Sequence, residues 1–320
     1  MNANEKASLG FLNGRWLPTA EMHIRIDDQG FLQAATVVER LRTYGGQLFQ
    51  FDAHLERLLH SLTVLRIDVS RSHIESVIAQ WCERNQPWIA EQGEVGLTIF
   101  VTPGCAVPVK TPSRTPVKRP GKSEAYAMTG RQPTLAVYGT ALDRSQIQSR
   151  QQTGQPIVVT DVQQPAPATW PRSIKVRCRL HYYLADQLAT DRHPQALGVL
   201  RDADGSITET SIANLGLVRD GAIYSPLPEQ VLPGVTEAFL HQAADRHGIA
   251  WHHRRLQPEE LTAAEEILLF GTTTGVWNGW LVESKTDREA GQDADTQAKK
   301  QPGAMCVRLR AAFPPSRFSD

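Results

Sequence analysis

DGSITETSIANLGLVRDGAIYSP, residues 204–226, decides the fold. Two Asp-Gly pairs, at 204–205 and 220–221, punctuate it. Asp-Gly between apolar runs marks a tight turn, because glycine accepts the positive φ that such turns require. Together with ALGVLR just before it, the block reads as a string of short strands from 196 to 226. Between the two turns Glu209 is the only acid, among small polar and apolar residues. On spacing alone it reads as an outward-facing strand residue or as a carboxylate held for a purpose.

Downstream, 235–247 has the apolar spacing of an amphipathic helix (Phe239, Leu240, Ala243, Ala244) that Gly248 stops. Pro233-Gly234 delivers the chain to its first residues, Val235 and Thr236. The unpaired N–H groups and dipole of a helix start favour an anion there. EILLF at 266–270 is a strand that runs into GTTTG. Three threonines between glycines offer amide and hydroxyl donors on a backbone open to close approach.

Upstream, PIVVTDV (156–162) is a strand and LHYYLADQLA (180–189) a helix, with Leu180, Leu184 and Leu188 on one face. Between them, SIKVRCRL holds Lys175. A lysine that forms a Schiff base must be fixed and partly desolvated, so that its neutral amine is available. Earlier still, Asn13-Gly14 and Gly45-Gly46 mark hairpins, and Asp52 is placed as the cap of a helix carrying Leu55, Leu58, Leu59, Leu62 and Leu65. A second helix covers 71–84, and VGLTIFV (95–101) is a buried strand. Residues 103–133, with six prolines, read as a long loop. The polar, Gln-rich run 145–156 reads as an interdomain crossing. Strands and helices mix without regular alternation, so the fold class is α+β.

The bulk numbers exclude several roles. Lys and Arg number 34, as do Asp and Glu, so no broad field draws nucleic acid or anionic membrane. No apolar run approaches the roughly 18 residues that span a bilayer. The start, MNANEKASLGFLNG, lacks the layout of a signal peptide. Four scattered cysteines suit free thiols in a reducing compartment, and the expected location is cytoplasmic. None has zinc spacing, and no metal is expected. GxxxxGK[ST], GxGxxG, GxSxG and HExxH are all absent.

In this order the blocks RTYGGQLFQFDAHLERLLHSL (42–62), the Lys175 segment, the 204–226 block, LPGVT and FGTTTG resemble the class IV aminotransferase family. These are fold-type-IV enzymes of pyridoxal 5'-phosphate, and they include branched-chain and D-amino-acid aminotransferases and aminodeoxychorismate lyase. The resemblance implies a two-domain, D-amino-acid aminotransferase-like fold: a small domain over 1–145, a linker at 146–155 and a cofactor-binding domain over 156–320, with the site between them. It implies Lys175 as the Schiff-base lysine, Glu209 on the pyridine nitrogen, and Arg57, Val235, Thr236 and Thr272 around the phosphate. It places Thr273 and Phe31 against the substrate. It further implies a homodimer whose partners are small-molecule substrates, an amino acid and a 2-oxo acid. Amino-group transfer is the expected reaction; pyruvate release from aminodeoxychorismate, or a non-catalytic cofactor-binding role, are the alternatives.

Departures from the family pattern cluster near the substrate. GFLQAATVVE stands at 30–39 where a glycine-rich turn with an acidic residue is usual, and Glu237 where arginine is common. Leu180 occupies the position five after the lysine where branched-chain enzymes place tyrosine. Residues 284–302 form a polar insertion.

Overall fold

In the computed structural model, which describes residues 8–105, 132–282 and 301–317, Asn13 and Gly14 take φ of 49° and 85°. They close the hairpin of β1 (Leu9–Leu12) and β2 (Arg15–Pro18). After the short helix α1 (Gln29–Leu32), Gly45 and Gly46 turn β3 (Val37–Tyr44) into β4 (Gln47–Leu48). Three helices follow: α2 (Phe51–Leu65), α3 (Arg71–Arg84) and α4 (Gln86–Gln92). Then come β5 (Val95–Thr102) and β6 (Thr134–Ala141). The resulting six-stranded sheet has the order β2-β1-β6-β5-β3-β4. On one face Val37, Leu41, Leu97, Ile99 and Val137 pack with Leu55, Leu58, Ile74 and Trp81 of α2 and α3.

Helix α5 (Arg144–Thr153) carries the chain to the second sheet. That sheet holds β7 (Gln155–Gln163), β8 (Leu197–Arg201), β9 (Asn214–Arg219), β10 (Ala222–Ser225), β11 (Trp251–His253), β12 (Glu266–Gly271) and β13 (Gly275–Leu281). Its order is β11-β10-β9-β12-β13-β7-β8. Helix α6 (Leu180–Thr190) makes the crossover between the parallel pair β7 and β8. A parallel pair needs such a connection. Close packing there depends on glycine: a methyl on Gly198 would come within 2.5 Å of the Ala185 carbonyl. Helices α7 (Val235–Arg246), α8 (Pro258–Ala263) and α9 (Ala304–Arg310) complete this half. Both Asp-Gly turns take positive φ at glycine, and Gly248 has φ 65° just past α7.

Four features differ from the sequence expectation. Asp52 does not cap α2; Gln50, in left-handed backbone, holds the cap position, and Asp52 lies in the first turn. The crossing at 144–153 is a helix capped by Asp143, which accepts from Gln146 N–H at 2.9 Å. Only Ile147 of it is buried, so no apolar periodicity announces it. The strand β6 also goes unannounced, because the proline-rich run hides its start. Finally, the leucine face of α6 points outward, while Ala185 and Ala189 face the sheet. Most of the 103–133 loop and nearly all of the 284–302 insertion lie outside the described residues.

Candidate active site

Lys175 is fixed from both sides. Its carbonyl accepts from Val38 N–H at 3.0 Å, and Arg177 N–H donates to Thr36 O at 2.9 Å. These bonds lay 175–177 along the edge of β3, with Val37 opposite Val176. The Lys175 N–H donates to Ser61 Oγ of α2 at 3.1 Å. The lysine that belongs by sequence to the second half is thus pinned by backbone to the first sheet. Burial, then the Arg57 charge, lower its pKa to about 8, against an opposing pull from Glu39. A neutral amine is therefore within reach at physiological pH.

Glu209 lines the same cavity as Lys175, with Gln164, Tyr182 and Leu232. It is buried rather than outward-facing. Oε1 accepts from Gln164 Nε2 and from Tyr182 OH, both at 2.7 Å. Oε2 accepts from Asn214 Nδ2 at 3.3 Å and from Leu232 N–H at 3.2 Å. Burial raises its pKa, and the bonds from Tyr182, Leu232 and Gln164 pull the other way. Neutral groups hold it in place, and no arginine or lysine forms an ion pair with it among the described residues. Larger cavities exist, under Trp81 and Arg317 and between Arg42 and Phe313, but neither contains Lys175 or Glu209.

Arg57 projects from α2 to a second junction. Nε and Nη2 donate to Glu39 at 2.9 and 2.6 Å, and Nη1 donates to Pro233 O at 2.6 Å. A guanidinium has five N–H donors, so one on each terminal nitrogen is left after these bonds. Pro233 leads directly into α7, whose cap Gly234 has no side chain to offer. Thr236 and Val235 are buried there, with N–H groups that begin the helix. Leu232, three residues before Val235, is the one that donates to Glu209. The Glu209 carboxylate and the α7 start are therefore joined by one short run of chain.

The threonine turn closes β12 onto β13, with Gly275 at φ 85°. Arg42 Nη1 donates to Thr273 O at 2.6 Å, which ties this turn to the first sheet. Thr272 and Thr273 are half-buried. Phe31 stands apart: it is 71% exposed on α1. The site thus brings Lys175, Glu209, Arg57, Val235 and Thr236 to the junction of the two sheets, while Phe31 lies on the surface of this chain.

Sequence reading missed the donors to Glu209 other than its own block, namely Tyr182 and Gln164, and the pair Glu39–His54. Tyr182 lies on the first turn of α6, seven residues after Lys175. His54 lies one α2 turn before Arg57, where helical spacing could have joined the two. His54 Nδ1 is 3.0 Å from Glu39 Oε1. Burial holds Glu39 back from ionising, yet the Arg57 charge and His54 keep its carboxyl well below the usual range.

These residues fit a phosphorylated pyridine aldehyde. An amine of lowered pKa and a buried carboxylate without a cation share a cavity, and uncapped helix N–H groups beside an arginine with spare donors suit the phosphate.

Comparison with known proteins agrees. The sequence profile of the family described as Amino-transferase class IV matches residues 36–279. A D-alanine aminotransferase of Bacillus licheniformis is 26% identical over 268 residues, 82% of this chain and 84% of that protein. An aminodeoxychorismate lyase of Bacillus subtilis (strain 168) is 24% identical over 262 residues, 80% of each. Among solved structures, the branched-chain amino acid aminotransferase of Escherichia coli aligns with a TM-score of 0.76. It is 20% identical, and the alignment covers 96% of this chain and 94% of that one.

Proposed function

Because this chain belongs to the class IV aminotransferase family, whose members work with pyridoxal 5'-phosphate, we propose that Lys175 carries this cofactor and moves the reacting proton. The reaction is transfer of an amino group from an amino acid to a 2-oxo acid. The observation that carries this reading is the convergence of Lys175 and Glu209 on one cavity.

When bound, pyridoxal phosphate supplies an electron sink that lets an amino acid lose its α-proton. Lys175, with its pKa lowered to about 8, is suited to take that proton and to return it elsewhere on the cofactor. Glu209 would hold the pyridine nitrogen, since its four donors fix a carboxylate that could accept a ring N–H. Arg57, the Val235 and Thr236 N–H groups and the Thr272 hydroxyl hold the phosphate. Thr273 offers its amide to the substrate carboxylate. Phe31, exposed in one chain, meets substrate only where a partner subunit or the substrate itself covers it.

We also read residues 1–145 and 156–320 as two domains joined through 146–155, and the assembly as a homodimer. Leu180, Tyr183, Leu184 and Leu188 repeat at helical spacing on the outer face of α6, and all four are exposed. A stripe of that kind on a surface helix is suited to burial against a second copy. Leu184→Glu should shift the protein from dimer to monomer in light scattering; a wild-type protein that is monomeric at working concentration refutes the assembly. The four cysteines, Cys82, Cys105, Cys178 and Cys306, are free, which suits a reducing compartment. On that ground we place the protein in the cytoplasm.

The decisive experiment mixes holoenzyme with single amino acids and no 2-oxo acid. One equivalent of 2-oxo acid per site, with the cofactor left aminated, supports transfer. No burst with any amino acid, alongside pyruvate release from aminodeoxychorismate, makes the chain a lyase. Neither reaction makes it a non-catalytic relative.

A further inference from the structure

The Gln-rich crossing between the two sheets has a chemical use. The β12–β13 ladder ends at the pair Gly271 and Gly275, so the three threonines between them lie outside it. A buried carbonyl without a partner is costly, and Thr274 is 1% exposed. Two side chains from distant parts of the chain meet this need. Gln151 Nε2, from α5, donates to Thr274 O at 3.1 Å. Arg42 Nη1, from β3, donates to Thr273 O at 2.6 Å.

Gln151 is itself held in place. Its main-chain carbonyl accepts from Arg310 Nη2 of α9 at 3.1 Å, and Ile147 anchors α5 as its one buried residue. Peptide planes are rigid. Fixing the carbonyls of Thr273 and Thr274 therefore fixes the two planes that flank the Thr274 α-carbon, and with them the pose of the turn. Gln151, Arg42 and Thr274 line one cavity of about 450 Å³. Lys175 and Glu209 line another, with no residue in common. Gln151 thus grips the turn from outside the cavity where the lysine stands.

We propose that Gln151 is a positioning residue: with Arg42 it holds the threonine turn in the pose that receives the α-carboxylate of the substrate. The inference rests on the reading of Thr273 as a donor to that carboxylate. Helix α5 joins the two sheets, so this bond makes substrate binding depend on how the connector is seated. A misplacement of about 1 Å, caused far from the chemistry, is enough to matter.

The test titrates holoenzyme calorimetrically with butyrate, a carboxylate without an amino group, and with butanol, which lacks the carboxylate. Wild type should prefer butyrate by about ten-fold or more, the range of a hydrogen bond to a charged group. Gln151→Met has similar length and no donor. It should weaken butyrate by about three- to ten-fold, the range of one neutral hydrogen bond, and leave butanol unchanged. Gln151→Glu, which sets an acceptor against Thr274 O, should weaken butyrate further. In the half-reaction with an amino acid, KM should rise in step while kcat stays within about two-fold, the pattern of lost ground-state binding. Butyrate affinity that holds in both variants, or a fall in kcat with KM unmoved, overturns the proposal. Wild type that prefers neither ligand overturns the Thr273 reading, and the role of Gln151 falls with it.

Discussion

Arg57 and Glu39 meet as a two-point ion pair inside the first sheet's helix layer, with Nη2–Oε1 at 2.6 Å and Nε–Oε2 at 2.9 Å. Glu39 is fully buried and the Arg57 side chain nearly so. Removing one partner of a buried pair leaves an uncompensated charge, which costs about 3–5 kcal/mol. Glu39→Gln should therefore lower the stability of the apoprotein by that order in urea titration. The Glu39 pKa is depressed in the fold, so its stabilisation is present above the carboxylate's ordinary range and is lost as pH falls through and below it. Wild-type stability should drop below about pH 4.5, and Glu39→Gln should flatten that acid limb. A variant as stable as wild type would mean that the pair contributes nothing net.

The same pair sets a condition on the phosphate. Two Arg57 donors are spoken for by Glu39 and one by Pro233 O, so only the remaining N–H groups can reach an anion at the α7 start. Arg57→Ala should weaken cofactor affinity by about ten-fold or more, the size of a charge-assisted bond. Titration of apoprotein with pyridoxal phosphate, followed by absorbance, reads this directly. Unchanged affinity would remove Arg57 from the phosphate site.

Lys175 links the site to stability with the same sign of pH slope but in an alkaline window, because here the ionised form is the one the fold disfavours. Its folded pKa is about 8 against an ordinary 10.5. Between these values the unfolded chain binds more protons than the folded one, so apoprotein stability rises with pH from about 8 to 10.5. Below about pH 8 the buried ammonium is a cost. Lys175→Met should stabilise the apoprotein at pH 7 by a few kcal/mol, since one pKa unit is about 1.4 kcal/mol. It should also abolish the pH slope, and the gain should fade by pH 10.5. Borohydride reduction of wild-type holoenzyme should leave the pyridoxyl group on Lys175, and finding it on another lysine would displace the assignment.

The turns were the most legible part of this chain. Asn13-Gly14, Gly45-Gly46 and the two Asp-Gly pairs each have a local chemical cause, the need for positive φ, and all form as expected. The leucine pattern of α2 was equally plain. What stayed hidden was what tertiary context decides. Helix α5 buries only Ile147, so its sequence shows no periodicity. The leucines of α6 mark a helix correctly but face outward, because small Ala185 is what fits against Gly198, and Ala189 packs with Val158 and Ala196. In the site, Lys175 and Glu209 stood out through their ordered blocks, whereas Gln164 and Tyr182 lie 45 and 27 residues from the carboxylate they serve. No local pattern connects such distant positions.

Tyr182 offers the closest test of how Glu209 works. Its hydroxyl donates to Oε1 at 2.7 Å, and burial keeps its own pKa well above the ordinary tyrosine value, so it remains a neutral donor throughout the working range. Burial pushes the Glu209 pKa up, and the Tyr182 bond is the largest of the influences that hold it down. Tyr182→Phe keeps the ring and its packing but deletes that donor. The carboxylate should then be harder to ionise, and a protonated Glu209 cannot hold the positive charge on a pyridine nitrogen. The acid limb of the kcat/KM profile should move to higher pH. Below it kcat should fall by about ten-fold, in line with the loss of one hydrogen bond to a charged group, while KM for the amino acid changes little. Raising the pH should restore the rate. A purely structural tyrosine would instead lower stability with the profile unmoved, and that outcome would leave Gln164, Asn214 and the Leu232 N–H as sufficient support for Glu209.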